Sequence, residues 1–178
     1  MNATRTYHPV SIGLHWAMAV MIVALLAGGF VMDELPKGDL KFAAFNLHKL
    51  VGVVVLALVA VRLAWRAGHP PAPANDIPAW QQAAARIAHV ALYGAMIVMP
   101  VSGLLFTNFG RGIRILGLSL APVGGANQAL ADLFKEVHEV AGITLAAVIA
   151  AHVAAALWHH FGRHDRTLLR MLPQGAGR

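Results

Sequence analysis

Ten histidines and no cysteine set the chemistry open to this chain of 178 residues. Without cysteine there can be no disulfides, thiolate metal sites, iron–sulfur clusters or covalently attached c-type haem. Neutral imidazole is a good iron ligand, and two imidazoles can fill both axial positions of a haem. The histidines are therefore the first candidates for a redox centre.

The stretch from His138 to His152 carries a single charged residue and has a histidine at each end. Fourteen helical steps make roughly 1400°, about 40° short of four full turns, so both rings would lie on nearly the same face of one helix. At ~1.5 Å per residue the two rings stand about 21 Å apart, within a hydrocarbon core of about 30 Å. The spacing predicts one helix that presents ligands at two membrane depths, which suits two stacked cofactors.

Membrane helices are the elements that must position these residues. The chain is 58% hydrophobic and 12% charged, whereas soluble domains have about 25% charged residues. The predicted fold class is all-α, a membrane four-helix bundle formed by a single domain over 1–178. Its spans are predicted at about 12–32, 46–66, 87–107 and 138–158.

The segments between the spans are predicted to be short. Breakers and charges predict loops at 33–45, 66–83 and 108–125, the last of them rich in glycine. Residues 126–139 carry apolar positions at helical spacing and predict an amphipathic helix that runs into the fourth span.

The net charge of +6 divides unevenly between the two sides of the predicted bundle. Eight basic and two acidic residues fall on the side of the termini, namely Arg5, Arg62, Arg66, Arg86, Arg163, Arg166, Arg170, Arg178, Asp76 and Asp165. Six basic and six acidic residues fall on the other side. The positive-inside rule then predicts both termini in the cytoplasm. The charge reflects topology and attraction to anionic lipid, and it calls for no nucleic-acid partner.

Depth sorts four histidines into two pairs. His15 and His152 are predicted near the cytoplasmic ends of their spans, and His48 and His138 near the outer ends. A polar imidazole within lipid should face the bundle interior and have a partner. Each pair is therefore predicted to supply two axial nitrogens to one iron. Filled axial positions suit electron transfer rather than ligand binding.

Other residues at these depths have candidate roles beside the rings. Arg62 on the inner side and Lys49 on the outer side are predicted to meet haem propionates. A porphyrin can approach the backbone closely at glycine, which predicts a cofactor-binding role for Gly52. Gly13, Gly103 and Gly142 are predicted near the rings as well.

Several histidines have alternative interpretations. His89, at the inner depth, is predicted to bond a propionate or a quinone, although it could replace His15 as a ligand. His159 is predicted at the membrane edge, in a solvated or propionate-side role. His8, His69 and His164 are predicted loop residues, and Tyr93 is predicted to pack in the core or at the interface.

Motifs along nearly the whole chain resemble the cytochrome b561 family of the bacterial and nickel-hydrogenase type. They are Tyr7-His8-Pro9, Leu14-His15-Trp16, His48-Lys49 with Gly52, Arg62-Leu-Ala-Trp-Arg66, His89 with Leu92-Tyr93, Pro100-Val-Ser-Gly103, His138-Glu139, His152, Ala155-Ala-Leu-Trp-His-His-Phe161, Asp165 and Arg170-Met-Leu-Pro173.

The resemblance implies a multi-pass protein of the bacterial inner membrane with two non-covalent b-type haems. It assigns the ligands to His15, His48, His138 and His152, in agreement with the depth pairing. It also implies a quinone, ubiquinone or menaquinone, at one end of the electron path. Some members are similar to superoxide oxidases that reduce ubiquinone, and others are membrane subunits of hydrogenases or dehydrogenases.

Three functional hypotheses follow. The first is a superoxide:ubiquinone oxidoreductase, in which Lys49, Arg111, Arg114 and Lys135 steer the anion. The second is an electron-transfer subunit for a periplasmic dehydrogenase, a hydrogenase or a soluble cytochrome, which would dock on 108–139. The third is a non-redox, proton-coupled transporter with the histidines as a relay.

A quinone site is predicted on the inner side, around the connection between the second and third spans. Its candidate residues combine cations, an aromatic ring and an amide that could hold quinone carbonyls, and they are Arg66, Trp80, Gln81, Arg86 and His89.

Overall fold

The computed structural model describes residues 7–70, 77–115 and 118–172, with Arg114 and Ile115 by their backbone alone. Four long helices dominate it, each apolar and long enough to cross a bilayer. They are α1 (Pro9–Val31), α2 (Asp39–Gly68), α3 (Ala79–Arg111) and α4 (Gln128–Leu157). The predicted all-α membrane four-helix bundle is confirmed.

The helices extend beyond the predicted spans. α2 begins at Asp39 rather than at 46, α3 at Ala79 rather than at 87, and α4 at Gln128 rather than at 138. A helix of 33 residues, such as α3, is ~50 Å long and exceeds the hydrocarbon thickness, so charged residues near its ends can lie at the interface without ending it. The loops predicted at 33–45, 66–83 and 108–125 are correspondingly shorter.

The ends of two helices have side-chain caps. The His8 ring accepts a hydrogen bond from the Val10 amide, and Pro9 occupies the first turn of α1. The Asn127 side chain accepts from the Leu130 amide at the start of α4. Both caps satisfy amides that have no partner within the helix. The predicted amphipathic helix at 126–139 is confirmed as the first part of α4.

The segment between α3 and α4 contains a short β-hairpin that the glycine-rich sequence did not predict. Strands β1 (Ile113–Ile115) and β2 (Leu118–Leu120) pair in an antiparallel manner. Gly112 precedes β1 with φ +80°, and a Cβ atom there would collide with the backbone carbonyl of Leu120. Only glycine allows this entry into the hairpin.

Both ends of the described chain lie on one side of the bundle. The Tyr7 amide donates to the Arg170 carbonyl at 3.1 Å, and the Trp16 indole donates to the Met171 carbonyl at 2.8 Å. We call this the terminal side, and the opposite side, with β1 and β2, the hairpin side. Among the charged residues and motif residues of the sequence, Arg5, Asp76, Pro173 and Arg178 lie outside the described ranges.

A buried apolar core fills the middle of the bundle. It joins α1, α2 and α4 and is flanked by side chains of α3. Along each helix these residues come between the two histidine levels, and they are Met18, Ile22, Val55, Val59 and Leu145. Close backbone packing is greatest between α3 and α4, and it also joins α1 to α2 and α2 to α3.

Candidate functional site

Two pairs of histidines lie inside the bundle, one pair at each predicted depth, and the two rings of each pair face each other. The ring centroids of His15 and His152 are 6.4 Å apart, and we call these two the terminal pair. Those of His48 and His138 are 6.3 Å apart, and we call these the hairpin pair. One ring of each pair comes from α4, so the helix predicted to present two ligands does take part in both pairs.

The ring separations fit two imidazoles on opposite sides of one iron. A metal–nitrogen bond of about 2 Å and a ring whose centre lies about 1.2 Å from its nitrogen put two aligned centroids at about 6.4 Å. The ring planes meet at 68° and 71°, an angle that rotation about the nitrogen–iron axis leaves free. No group of three metal-ligating side chains converges within the described ranges, and a haem iron needs only two from the protein.

His89 lies beside the terminal pair, with its ring 6.0 Å from that of His152. Distance alone therefore permits it as an alternative to His15. The helices differ, however, because α3 packs closely on α4, whereas α1 and α4 have few close backbone approaches. A flat macrocycle between two ligands needs helices that stand apart, which favours His15.

The hairpin pair is held by the backbone and a hydroxyl of α3. The Nδ1 atom of His138 lies 2.8 Å from the Met99 carbonyl and 3.3 Å from the Ser102 hydroxyl, which itself donates to Met99 at 3.0 Å. Because the carbonyl can only accept, Nδ1 carries the proton and Nε2 keeps its lone pair. Such a bond fixes both the tautomer and the orientation of a metal-ligating histidine. Ser102 is almost fully buried, at 3% exposure.

Glycines support the imidazoles of the hairpin pair. A Cβ atom at Gly103 would lie 3.1 Å from Cε1 of His138, and one at Gly29 would lie 3.6 Å from Cε1 of His48. Gly29 was not predicted, since only its depth relative to His48 could have indicated it. A Cβ atom at either of the predicted glycines Gly13 and Gly52 would have no neighbour within 4 Å in the described structure. The cofactor-binding role of Gly52 stays a prediction.

The terminal pair has a cation as its neighbour. The Nε atom of Arg62 donates to the Tyr93 hydroxyl at 3.0 Å, and its Nη2 atom lies 3.5 Å from Nδ1 of His15. The contact of Tyr93 with Arg62 adds a polar role to the predicted packing role. Their equal depth on adjacent antiparallel helices was the signal that could have indicated it.

His159 lies in a π-helical turn, Trp158–Gly162, that continues α4. Its Nδ1 atom is 2.5 Å from a carboxylate oxygen of Asp165, and both side chains are largely buried, at 12% and 14% exposure. The solvated role predicted for His159 is therefore wrong, because the folded-back tail covers the ring, whereas its propionate-side role stays a prediction. Burial alone would raise the pKa of Asp165, but hydrogen bonds from His159 and Thr167 lower it below its usual value.

The remaining histidines lie at or beyond helix ends. His8 and His69 lie just outside α1 and α2, as predicted, and they flank Trp65, whose ring stacks on His69 at 3.9 Å between centroids. His164 does lie in a loop, with a positive φ of 51°.

The predicted anion-steering residues differ in their surroundings. Lys49 is half-buried, Arg111 is exposed at the end of α3, and the side chain of Arg114 lies outside the described part. Lys135 is exposed and forms an ion pair with Glu139 at 3.3 Å, which offsets its charge.

Among the predicted quinone-site residues, Gln81 has unusual surroundings. Its side chain is buried at 5% exposure, and within the described ranges neither amide atom has a hydrogen-bond partner. Trp80 and Arg86 are exposed, while Arg66 lines a crevice on the terminal side with Arg62 and Tyr93. An unpaired buried amide is costly, so Gln81 has unused capacity for a polar ligand.

Comparison with known proteins agrees with this arrangement. A family model described as prokaryotic cytochrome b561 matches residues 6–174. Cytochrome b561 homolog 1 of Escherichia coli K12 is 30% identical over 171 residues, 94% of this chain and 97% of the relative. Homolog 2 of the same strain is 31% identical, over 96% and 93% of the two chains.

A third relative, named "Probable superoxide oxidase CybB", comes from Yersinia pestis. It is 27% identical over 97% of this chain and 99% of its own length. The family model and all three relatives thus cover the four helices and both histidine pairs from end to end. The chain belongs to the prokaryotic cytochrome b561 family, whose members are membrane proteins that bind b-type haem and transfer electrons across the membrane.

Proposed function

We propose that the chain holds two b-type haems, one between His15 and His152 and one between His48 and His138. The observation that carries this is the matching centroid separation of 6.4 and 6.3 Å in the two pairs. Bound between these histidines, each haem would supply reversible one-electron chemistry.

The protein's own residues orient and insulate the two sites. Met99 fixes the ring of His138 through its carbonyl, and Arg62 places a cation beside His15. The apolar core between the two levels excludes water from the middle of the bundle. Membership in a cytochrome family favours this electron-transfer role over the non-redox relay.

We propose superoxide as the electron donor and ubiquinone as the acceptor. Two superoxide anions would lose one electron each to give dioxygen, and one quinone would take both electrons and two protons to give quinol. The name of the Yersinia relative supports this choice. Of the steering cations, Arg111 supports the proposal better than Lys135, whose charge is offset by Glu139.

The orientation proposed from the charge distribution puts the terminal side in the cytoplasm of a bacterial inner membrane. Superoxide would then react on the outer, hairpin side, and the quinone on the terminal side. The unpaired, buried amide of Gln81 supports a carbonyl-bearing ligand there.

Replacing Gln81 with Leu should slow quinone reduction while haem content stays constant. Gln82→Leu is the control, because the Gln82 amide already donates to the Ile77 carbonyl.

Haem content and a superoxide assay test the central proposal. Purified protein should give two haems per chain as the pyridine haemochrome. Superoxide added to the oxidised protein should reduce its haem rapidly, and added ubiquinone should reoxidise it. A single haem per chain would refute the two-site arrangement, whereas two haems that superoxide does not reduce would refute the donor only.

An electron-transfer subunit remains the second candidate, and a surface feature favours it. Apolar side chains are exposed on the hairpin side, beyond the level of His138, and they are Leu118, Leu120, Val123 and Leu133. Such residues could contact a periplasmic dehydrogenase or a soluble cytochrome. Purification from native membranes with a stoichiometric redox partner would support this candidate over free-standing superoxide oxidation.

A further inference from the structure

The two histidine pairs have nearly equal spacing, but the groups beside Nδ1 of His15 and Nδ1 of His138 differ in charge. At the terminal pair, a guanidinium lies 3.5 Å from Nδ1 of His15. At the hairpin pair, Nδ1 of His138 donates to the Met99 carbonyl at 2.8 Å. The first neighbour is a full positive charge, and the second is the negative end of a dipole.

Tyr93 holds the guanidinium in place. Its hydroxyl accepts from Nε of Arg62 at 3.0 Å, and Nη2 lies 3.5 Å from Nδ1 of His15, which is a charge contact rather than a hydrogen bond. Both residues are half-buried at the level of the terminal histidines. A charge fixed in a partly desolvated site acts more strongly than one on a mobile, solvated side chain.

These neighbours affect oxidised and reduced iron differently. Oxidised iron carries one more positive charge than reduced iron, so a fixed cation favours the reduced form. A histidine that donates its Nδ1 proton to a carbonyl becomes more basic and favours the oxidised form. The two effects therefore act in opposite directions at the two pairs.

We infer that Arg62, positioned by Tyr93, makes the site of the terminal pair the more easily reduced of the two. This inference rests on the proposed ligation of one haem by each pair. Electrons entering on the hairpin side would then be held preferentially on the terminal side, where the quinone is proposed to bind. Tyr93 is a positioning residue, because it acts through Arg62.

A redox titration followed by absorbance tests the inference. Arg62→Gln should lower the reduced-to-oxidised ratio of the terminal haem by about thirtyfold at a fixed potential, which is about 90 mV for one electron. A unit charge about 8 Å away in a medium of effective dielectric ~20 has an effect of this size. Tyr93→Phe should lower the same ratio by about twofold, since Arg62 keeps its charge but loses its anchor. Arg62→Lys should restore most of the wild-type ratio.

Two further variants assign the effect to one site. In a His138→Ala background only the terminal haem should remain, so its potential can be read alone. Arg166→Gln removes an exposed arginine on the same side and should shift neither haem. If Arg62→Gln costs the terminal haem, Tyr93→Phe becomes the deciding variant.

The inference and the proposed function fail differently. If Arg62→Gln keeps two haems per chain and their potentials are unchanged, the inference is overturned and the ligands stay as proposed. If Arg62→Gln loses the terminal haem, unchanged potentials in Tyr93→Phe overturn the inference in the same way. A shift confined to the hairpin haem would also overturn it. Wild-type protein with fewer than two haems would instead overturn the proposed function.

Discussion

The terminal and hairpin pairs show how one bundle can build two similar ligand sets with different surroundings. The hairpin pair has glycines against its rings and a backbone carbonyl on His138. The terminal pair has a third histidine and a fixed arginine. The ring spacing is almost the same, so the two pairs differ in the group that lies against Nδ1 of a ring and in the charge of the neighbouring side chains. Ligand geometry and ligand environment are thus set by separate residues.

The largest expected effect comes from removing one ligand of either pair. His152→Ala should leave one haem per chain, because the hairpin pair is complete without it, and His138→Ala should spare only the terminal haem. Pyridine haemochrome content and the separate absorbance bands of the two haems measure this. Loss of both haems, or of neither, in either variant would contradict the pairing.

The glycine support of the hairpin pair gives the next largest effect. Gly103→Val would force side-chain atoms into the His138 ring, since even a Cβ atom lies 3.1 Å from Cε1. We expect a cost of about 1–3 kcal/mol, as for other overpacked sites, and a partial loss of the hairpin haem alone. Gly94→Val is the matched control, because it is exposed on the same helix with nothing within 4 Å of its Cβ position. Equal haem loss in both variants would mean that Gly103 supports α3 rather than His138.

Sequence spacing was enough to predict the helices and the two ring pairs, because both follow from helical periodicity and membrane depth. His138 and His152 share one helix, and their partners follow from the order of the spans. Partners that depend on side-chain direction could not be predicted in this way. Equal depth on adjacent helices indicates that Arg62 and Tyr93 lie near each other, but the hydrogen bond that Arg62 donates to Tyr93 depends on the rotation of α2 against α3, which neither helix's sequence fixes alone.

The tail after α4 illustrates the same limit. The sequence placed His159 at the membrane edge, but its burial depends on the chain turning back after Gly162. The hairpin at 113–120 was hidden for another reason. Its strands are three residues long, too short for a period-two pattern to stand out.

His159, which also lies on the terminal side, differs from both pairs by having a carboxylate partner, Asp165. Asp165→Asn should lower the stability of the tail by about 1–2 kcal/mol, the scale of a hydrogen bond to a charged group. Hydrogen bonds hold the folded pKa of Asp165 below its usual 3.8. Its contribution is therefore present above that pH and is lost as the pH falls through the lower folded value.

Thermal unfolding in detergent measures this contribution. The difference in midpoint between wild type and Asp165→Asn should be constant near pH 6 and should shrink below about pH 4. Asp132→Asn is the control, since Asp132 lies on the hairpin side of α4, far from His159, and accepts from the Gln128 side chain one turn before it. A difference between wild type and Asp165→Asn that grows as the pH falls would contradict the expected sign.

The smallest expected effect separates the two contacts made by His138. Ser102→Ala removes the hydroxyl that lies near both the Met99 carbonyl and the His138 ring, but it leaves the bond from His138 to Met99 in place. We expect both haems to remain, with a stability loss of about 1 kcal/mol for the buried hydrogen bond and a small band shift in the hairpin haem only. Thr107→Ala is the control, since its hydroxyl donates to the Gly103 carbonyl on the same helix. Because the terminal pair has no contact with Ser102 in the described structure, a shift in its haem would mean that the two sites are coupled through α3. The two environments could then no longer be treated as independent.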